Sequence, residues 1–402
     1  MNNNKHTYAS IVPLIGGETL GTENVFGKRP EYILSYEAFQ ANDSQLLNHY
    51  NNEVPYYLID KNEVPNNLKN VDVLNAVCPC AGLSSLSTTS SSDNKTNDWM
   101  IESAKYVLGK VKPKVFWGEN APRLASKMGE PIVNQLKEIA NKEGYTFSLY
   151  KTKSLLHGLS QVRTRSFYFF WKEEGQIPIL PFIHREHETI EETIRAVKKQ
   201  EDDPMNDLVN SKVPSEDPFY RYILEEIHGG ITHNEFQESL SVSVNTFRYI
   251  ENNNITYDVV RKWMLKNNYN KEADKCQRMY DKLKSGGNIM RNSTTIPKGY
   301  IGAFVGHLPT MVTHPDEDRY LTIRECLSIM KMPSDFQLKG GLKNLNMICQ
   351  SVPVTTAADM AAGVMDYLDG KLDIVHSNFL IQNNHNQTTN HQVTSDLNEF
   401  LL

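Results

Sequence analysis

Short apolar runs alternating with stretches of helical spacing fill the first 172 residues, and this alternation constrains the fold more than any other feature. Residues 11–17, 32–39, 71–80 and 112–120 have strand character. The third run is almost continuously apolar, as a parallel strand covered on both faces must be. Helical stretches lie between them: NDSQLLNHYN, WMIESAKYVLGKV and MGEPIVNQLKEIANKEG, the last stopping at Gly144. The segments TFSLYKTKSLL and SFYFFWK add further strands. Such alternation predicts an α/β, doubly wound sheet. The length of 402 residues leaves room for a second module.

The character changes after Lys172. Residues 186–238 hold fourteen acids against five bases, and residues 258–291 hold nine bases against four acids. Both stretches have helical spacing, so a separate, mostly helical module is expected, with its basic part as the candidate contact surface for an anionic partner. Compact α/β character returns from Arg319. The boundaries read from this pattern are 1–172 with 316–376 for one domain, 173–315 for the inserted module, and 377–402 for a mobile Asn/Gln/Thr-rich tail. The serine-rich stretch 84–98 reads as a long loop. No run of 18 apolar residues exists to cross a membrane, and the opening MNNNKHTYAS lacks the pattern of a secretory signal. Five cysteines without zinc-finger spacing point to a reducing cytoplasm and no metal, and the twelve histidines form no metal-binding motif. A net charge of −6 excludes a wholly basic nucleic-acid coat but leaves room for a local basic groove.

Three places carry chemistry. Cys80 ends the third strand, at the sheet edge where open α/β folds bind ligands, with Pro79 stiffening the turn. A lone cysteine there is more often a packed thiol than a nucleophile. The next strand, however, ends in Glu119-Asn120, so a thiolate and a carboxyl meet at adjacent strand ends, a nucleophile with a proton donor. Gln161, Arg163 and Arg165 follow at every second residue, which in an extended segment puts two guanidinium groups on one face. Cys78, two residues before Cys80, reads as packing.

In this order the motifs Pro79-Cys80, Glu119-Asn120-Ala121 and Gln161-Val162-Arg163-Thr164-Arg165 resemble those of the cytosine-C5 DNA methyltransferases, over residues 8–172 and 316–370. The resemblance implies a Rossmann-like methyltransferase sheet that binds S-adenosyl-L-methionine, with an inserted target-recognition module. Pro13, Leu14, Ile15, Gly16 and Gly17 match the glycine loop around the methionine part of the cofactor, with Leu14 where the family has glycine; Gly21 also matches. Glu37 takes the place of the ribose-binding acid and Asp60 that of the adenine-binding acid. Arg319 to Glu325 resembles the helix supporting the recognition module. Gln350, Ser351 and Val352 resemble the segment that closes the cofactor pocket, with Cys349-Gln350 where the family has Gly-Asn. Pro79 is expected to touch both cofactor and base, and Ser84, Ser85, Asn120 and Gln161 to contact the substrate.

The mechanism so implied has the Cys80 thiolate add to C6 of a flipped-out cytosine, with Glu119 bonding N3 and the exocyclic amine, and Arg163 and Arg165 holding the O2 side and a phosphate. Carbon 5 then takes the methyl group. Double-stranded DNA is the expected partner, read by the inserted module with residues 258–291 facing it. A monomer is expected, with no membrane and no metal. The Asn/Lys-rich style suggests a phage or other mobile element, with or without a companion restriction enzyme. Two alternatives are an RNA (tRNA-type) methyltransferase, which should lack so large a reader, and a catalytically silent DNA-binding relative, for which Leu14, Ala121 and Gln350 speak and intact Cys80, Glu119 and Arg165 speak against.

Overall fold

The structure, a computed structural model, describes residues 5–79, 81–83, 91–198, 201–286, 293–384 and 392–394. Cys80, Ser84 and Ser85, and the first part of the serine-rich stretch (84–90), lie outside the described residues. The strands in chain order are β1 (Tyr8–Ile11), β2 (Ile33–Ser35), β3 (Tyr56–Leu58), β4 (Val73–Ala76), β5 (Val115–Asn120), β6 (Thr146–Lys153) and β7 (Thr164–Trp171). They continue as β8 (Gln176–Pro178), β9 (Val244–Asn245), β10 (Thr295–Ile296), β11 (Ile374–His376), β12 (Phe379–Asn383) and β13 (Gln392–Thr394).

One sheet of nine strands organises the first compact unit, in the order β13-β12-β6-β7-β5-β4-β1-β2-β3. Pairing is parallel except around β7 and at β13. This is a mixed, doubly wound α/β sheet of Rossmann-like form. Helices α1 (Gly17–Phe26), α2 (Gln40–His49), α3 (Asp98–Tyr106) and α4 (Glu130–Glu143) connect its strands. The core is aromatic at its centre: Phe116 stacks on Phe170, and Trp117 on Phe169, across the β5–β7 pair. α4 shows why the pattern was readable. Ile132, Val133, Leu136 and Ala140 recur at helical spacing and are buried, and Gly144 ends the helix at φ 75°.

Four features differ from the sequence reading. β1 is Tyr8–Ile11 and not 11–17, because Val12 and Leu14 turn into left-handed backbone at φ 50° and 54°. Residues 173–187 belong with the sheet unit and not with the inserted module: β8 pairs with β11, and Tyr150 Oη donates to the Pro181 carbonyl at 2.9 Å. The stretch after Ser377 is in part a sheet strand, since β12 pairs in parallel with β6 and buries Phe379, Leu380 and Ile381. Its apolar triplet is short, and the surrounding asparagines and glutamines hid it. Residues 316–329, expected in the sheet domain, fall in the other unit.

The second compact unit comprises residues 188–329 and 340–349. It is mostly helical, with a small β9–β10 ribbon. Its own core gathers Phe219, Tyr220, Ile223, Phe236, Phe247, Ile250, Val260 and Met264. Arg319 grips Glu325 through two hydrogen bonds of 2.9 and 3.0 Å at the start of the helix Ile323–Ile329. Among the described residues no helix is long and apolar enough to cross a membrane, and no group of three acidic, histidine or cysteine side chains is placed to hold a metal.

Candidate active site

The strand order reverses between β4 and β1, and in open α/β sheets the crevice outside the carboxyl ends at such a point is where ligands bind. The chain leaves β1 into residues 12–17 and leaves β4 into Val77-Cys78-Pro79, so the two segments singled out from the sequence flank that crevice.

The loop after β1 is held from below. Val12 to Gly17 are all buried. Leu14, at the position where the family has glycine, adopts the left-handed backbone that glycine would take without strain, at a cost of about 1–2 kcal/mol. Its N–H donates to Asp43 Oδ1 at 3.1 Å. Asp43, fully buried in α2, also accepts from Ser35 Oγ (2.5 Å) and Tyr56 Oη (2.9 Å). Burial pushes its pKa up to about 7, although all three hydrogen bonds pull the other way. Asp43 was missed in the sequence. Its only signal is an acid three residues before Leu46, on the face that α2 buries.

Gly17 shows why this loop needs glycine. A Cβ there would lie 1.9 Å from the Val352 carbonyl oxygen. The Gly17 N–H instead donates to Ser351 Oγ at 3.1 Å, and Ser351 Oγ donates to the Val352 carbonyl at 3.2 Å. Ser351 and Val352 are thus brought against the loop, while the exposed Gln350 accepts from Asn42 Nδ2 at 3.0 Å. Gly21 serves helix packing: its Cβ would come within 2.5 Å of the Val354 carbonyl, at the root of the helix Val354–Leu368.

Glu37 and Asp60 lie exposed beyond the ends of β2 and β3. They are brought together, because the Glu37 N–H donates to both Asp60 carboxylate oxygens (3.1 and 3.2 Å) and Glu37 pairs with Lys61 at 2.6 Å.

On the other side of the crevice, Glu119 is 2% exposed at the end of β5 and ion-pairs with Arg165 Nε on the neighbouring β7. Arg165 also donates to the Thr164 carbonyl at 2.8 Å, which fixes its fork. Asn120 is buried and accepts the Ala121 N–H at 2.8 Å, so it shapes the turn after the strand. β7 begins at Thr164, so Arg165 lies in the strand while Gln161 and Arg163 precede it. Arg163 is buried, its carbonyl accepting from the Ser154 N–H at 2.9 Å, and Gln161 Nε2 reaches Met330 Sδ at 3.3 Å. Cys78 is buried, and burial pushes its thiol up to about 11, so it stays protonated. Pro79 is half-buried.

A second carboxyl feels the charge of Glu119. Glu18, in the first turn of α1, is fully buried, and neither of its oxygens reaches a hydrogen-bond partner. Burial raises its pKa well above the carboxylate range, and the Glu119 charge raises it further. The sequence showed Glu18 only as an acid directly after Gly16-Gly17.

Residues 8–365 match the C-5 cytosine-specific DNA methylase family, and the chain belongs to that family. Two solved structures share the fold. One is described as a DNA modification methyltransferase encoded within a prophage (E. coli), at 15% identity and a TM-score of 0.54, covering 91% of this chain and 100% of that one. The other is the Entamoeba histolytica methyltransferase EhMeth, at 12% identity and a TM-score of 0.52, covering 90% of this chain and 99% of that one. No curated protein matches the chain. The family transfers methyl groups to cytosine and takes them from S-adenosyl-L-methionine.

Proposed function

We propose that this protein is a sequence-specific DNA (cytosine-5-)-methyltransferase acting on double-stranded DNA. The observation that carries the reading is Glu119, buried at a strand end beside β4, the strand that leads to Pro79, and gripped by Arg165. A buried carboxyl with a fixed partner presents one oriented edge to a ring nitrogen, and that edge is what protonation or hydrogen bonding at cytosine N3 requires. In this reading the Cys80 thiolate adds to C6, and Glu119 stabilises the charge that develops on the ring. Arg165 positions Glu119 and faces the O2 side. Arg163, Gln161 and Asn120 shape the pocket wall, and Ser84 and Ser85 contact the strand once the base has left the stack.

The loop and strand ends suit S-adenosyl-L-methionine. Glu37 and Asp60 are exposed acceptors at adjacent strand ends, suited to ribose hydroxyls and an adenine amine. Residues 13–17 offer backbone in left-handed turns, and Pro79, Gln350, Ser351 and Val352 close the pocket. When bound, the cofactor supplies the electrophilic methyl group. The protein's own residues exclude water from it: Val12, Ile15 and Val352 are buried and apolar around the loop.

The size of the second unit supports DNA over RNA, because a substrate read by its fold needs no separate reader of base edges. The prophage setting of one structural relative supports a modification enzyme of a mobile element in the cytoplasm of a bacterial host. The test is base-resolution mapping of 5-methylcytosine in cells that lack this mark, expressing the wild type or Cys80→Ala. Methylation at one recurring sequence, absent in the variant, is the expected result. Methylated RNA with unmethylated DNA overturns it.

A further inference from the structure

The second unit contains a pair of short helices that the methyl-transfer site does not use. The helix His233–Ser239 opens on a reciprocal cap, in which the Thr232 side chain accepts the Glu235 N–H and the Glu235 carboxylate accepts the Thr232 N–H at 2.8 Å. Residues 240–245 turn the chain. Asn245 Oδ1 then accepts the N–H groups of Phe247 (3.1 Å) and Arg248 (3.3 Å) and starts the helix Thr246–Asn252.

Phe236 from the first helix, and Phe247 and Ile250 from the second, enter one core with Phe219 and Ile223 before the pair and Val260 and Met264 after it. The result is a pair of short helices joined by residues 240–245, which end in β9, and packed on both sides against supporting helices. Its second helix keeps one face outside that core, and on it Arg248 and Asn252 stand one turn apart, both exposed.

On this helix Arg248 pairs with Glu251 at 3.8 Å, and the excess of positive charge that favours a polyanion lies on the helices that follow. From Thr246 to Gly286 there are nine bases against five acids, in a chain that is negative overall. Lys275, from the helix Asn270–Lys284, lies 4.9 Å over the Phe247 ring and brings one of these cations to the root of the second helix. Double-helical DNA matches both features. A helix with an exposed polar face can enter the major groove. Arginine pairs with the O6/N7 edge of guanine, and asparagine with the N6/N7 edge of adenine.

We propose that the helix Thr246–Asn252 reads the target sequence in the major groove, with Arg248 and Asn252 as its base-contacting side chains and the cations of residues 258–284 on the flanking phosphates. This rests on the double-stranded DNA substrate proposed above. It moves the reading face from the basic stretch expected from the sequence to the helix in front of it.

The experiment uses the full chain with Arg248→Ala, Asn252→Ala and the double variant, and Lys142→Ala in the first unit as an equal loss of charge. Both target side chains are exposed, and thermal melting checks that the variants fold. Methylated sites are mapped at base resolution, and duplex binding is measured against salt. The expected result is loss of discrimination at one or two base pairs of the recurring site. Affinity for that site should fall about tenfold or more, with affinity for unrelated duplex held within about twofold. Lys142→Ala should change neither. A double variant that methylates the same sites at the wild-type rate overturns this proposal and leaves the enzyme's function standing. A wild type that methylates no DNA overturns the function and this proposal with it.

Discussion

Asp43 accepts the backbone N–H of Leu14 at 3.1 Å, which ties the left-handed turn of the loop after β1 to a carboxyl buried in the helix behind it. The folded pKa of Asp43 is about 7 against an ordinary 3.8, so the folded state binds the proton more tightly than the unfolded chain does. Its contribution to stability is fully present below about pH 4 and is lost as pH rises toward 7, at about 1.4 kcal/mol per unit. Asp43→Asn keeps an acceptor for Leu14 and removes the titration. Urea midpoints measured at pH 5 and pH 8 should show the wild type losing ground to the variant at the higher pH. Parallel curves would exclude Asp43 as the titrating group.

Arg165 and Glu119 should fail together but differently. Glu119→Gln keeps the volume and loses the acid, and single-turnover methylation should fall by about 10² to 10⁴ with cofactor affinity unchanged. Arg165→Ala leaves Glu119 buried without its cation, so it should also lose about 3 kcal/mol of stability. A double variant no slower than the worse single one would mark the two as one unit. Fully additive losses would separate them.

Gly17→Ala places a methyl group 1.9 Å from the Val352 carbonyl. The expected cost is at least about 2 kcal/mol, together with loss of cofactor binding, because the loop can yield only by leaving Ser351. Calorimetric titration with S-adenosyl-L-methionine checks this. Wild-type affinity in Gly17→Ala would show that the contact relaxes without consequence.

Away from the crevice, Asp359 in the helix Val354–Leu368 accepts from or pairs with His157 Nδ1 (2.9 Å) and Arg185 (2.5 and 3.1 Å). His157 Nε2 meets Thr152 Oγ1 at 2.8 Å, and Asn384 Nδ2 donates to the same hydroxyl at 3.0 Å. Asp359→Ala strands these donors, and a loss of about 3 kcal/mol is expected with the methylated sequence unchanged. An altered sequence preference in that variant would give the network a role in recognition.

The sheet was legible where strands are long and apolar, as in residues 71–80 and 112–120, and where helices carry both a stripe and a stop, as in α4. β3 escaped because Tyr56 and Tyr57 are only half-buried at the sheet edge, and β12 because three apolar residues amid amides carry little signal. Glu119 and Arg165 were legible through the order of their motifs. Asp43 and Glu18 were not, because what makes them matter is a contact across 29 residues in one case and complete enclosure in the other. The helix pair at 233–252 was masked by the acids of its first helix, although Thr232 with Glu235 three residues on is a helix-start signature.

β12 has one more consequence. It covers β6, which would otherwise be the last strand on that side with a row of free backbone groups. A chain cut at Ser377 would offer that row, flanked by Phe147 and Leu149, to any extended segment of another molecule. The strand Phe379–Asn383 is therefore a guard against self-association as much as a part of the sheet. A shortened protein that forms oligomers would be reporting an exposed strand and not a native assembly.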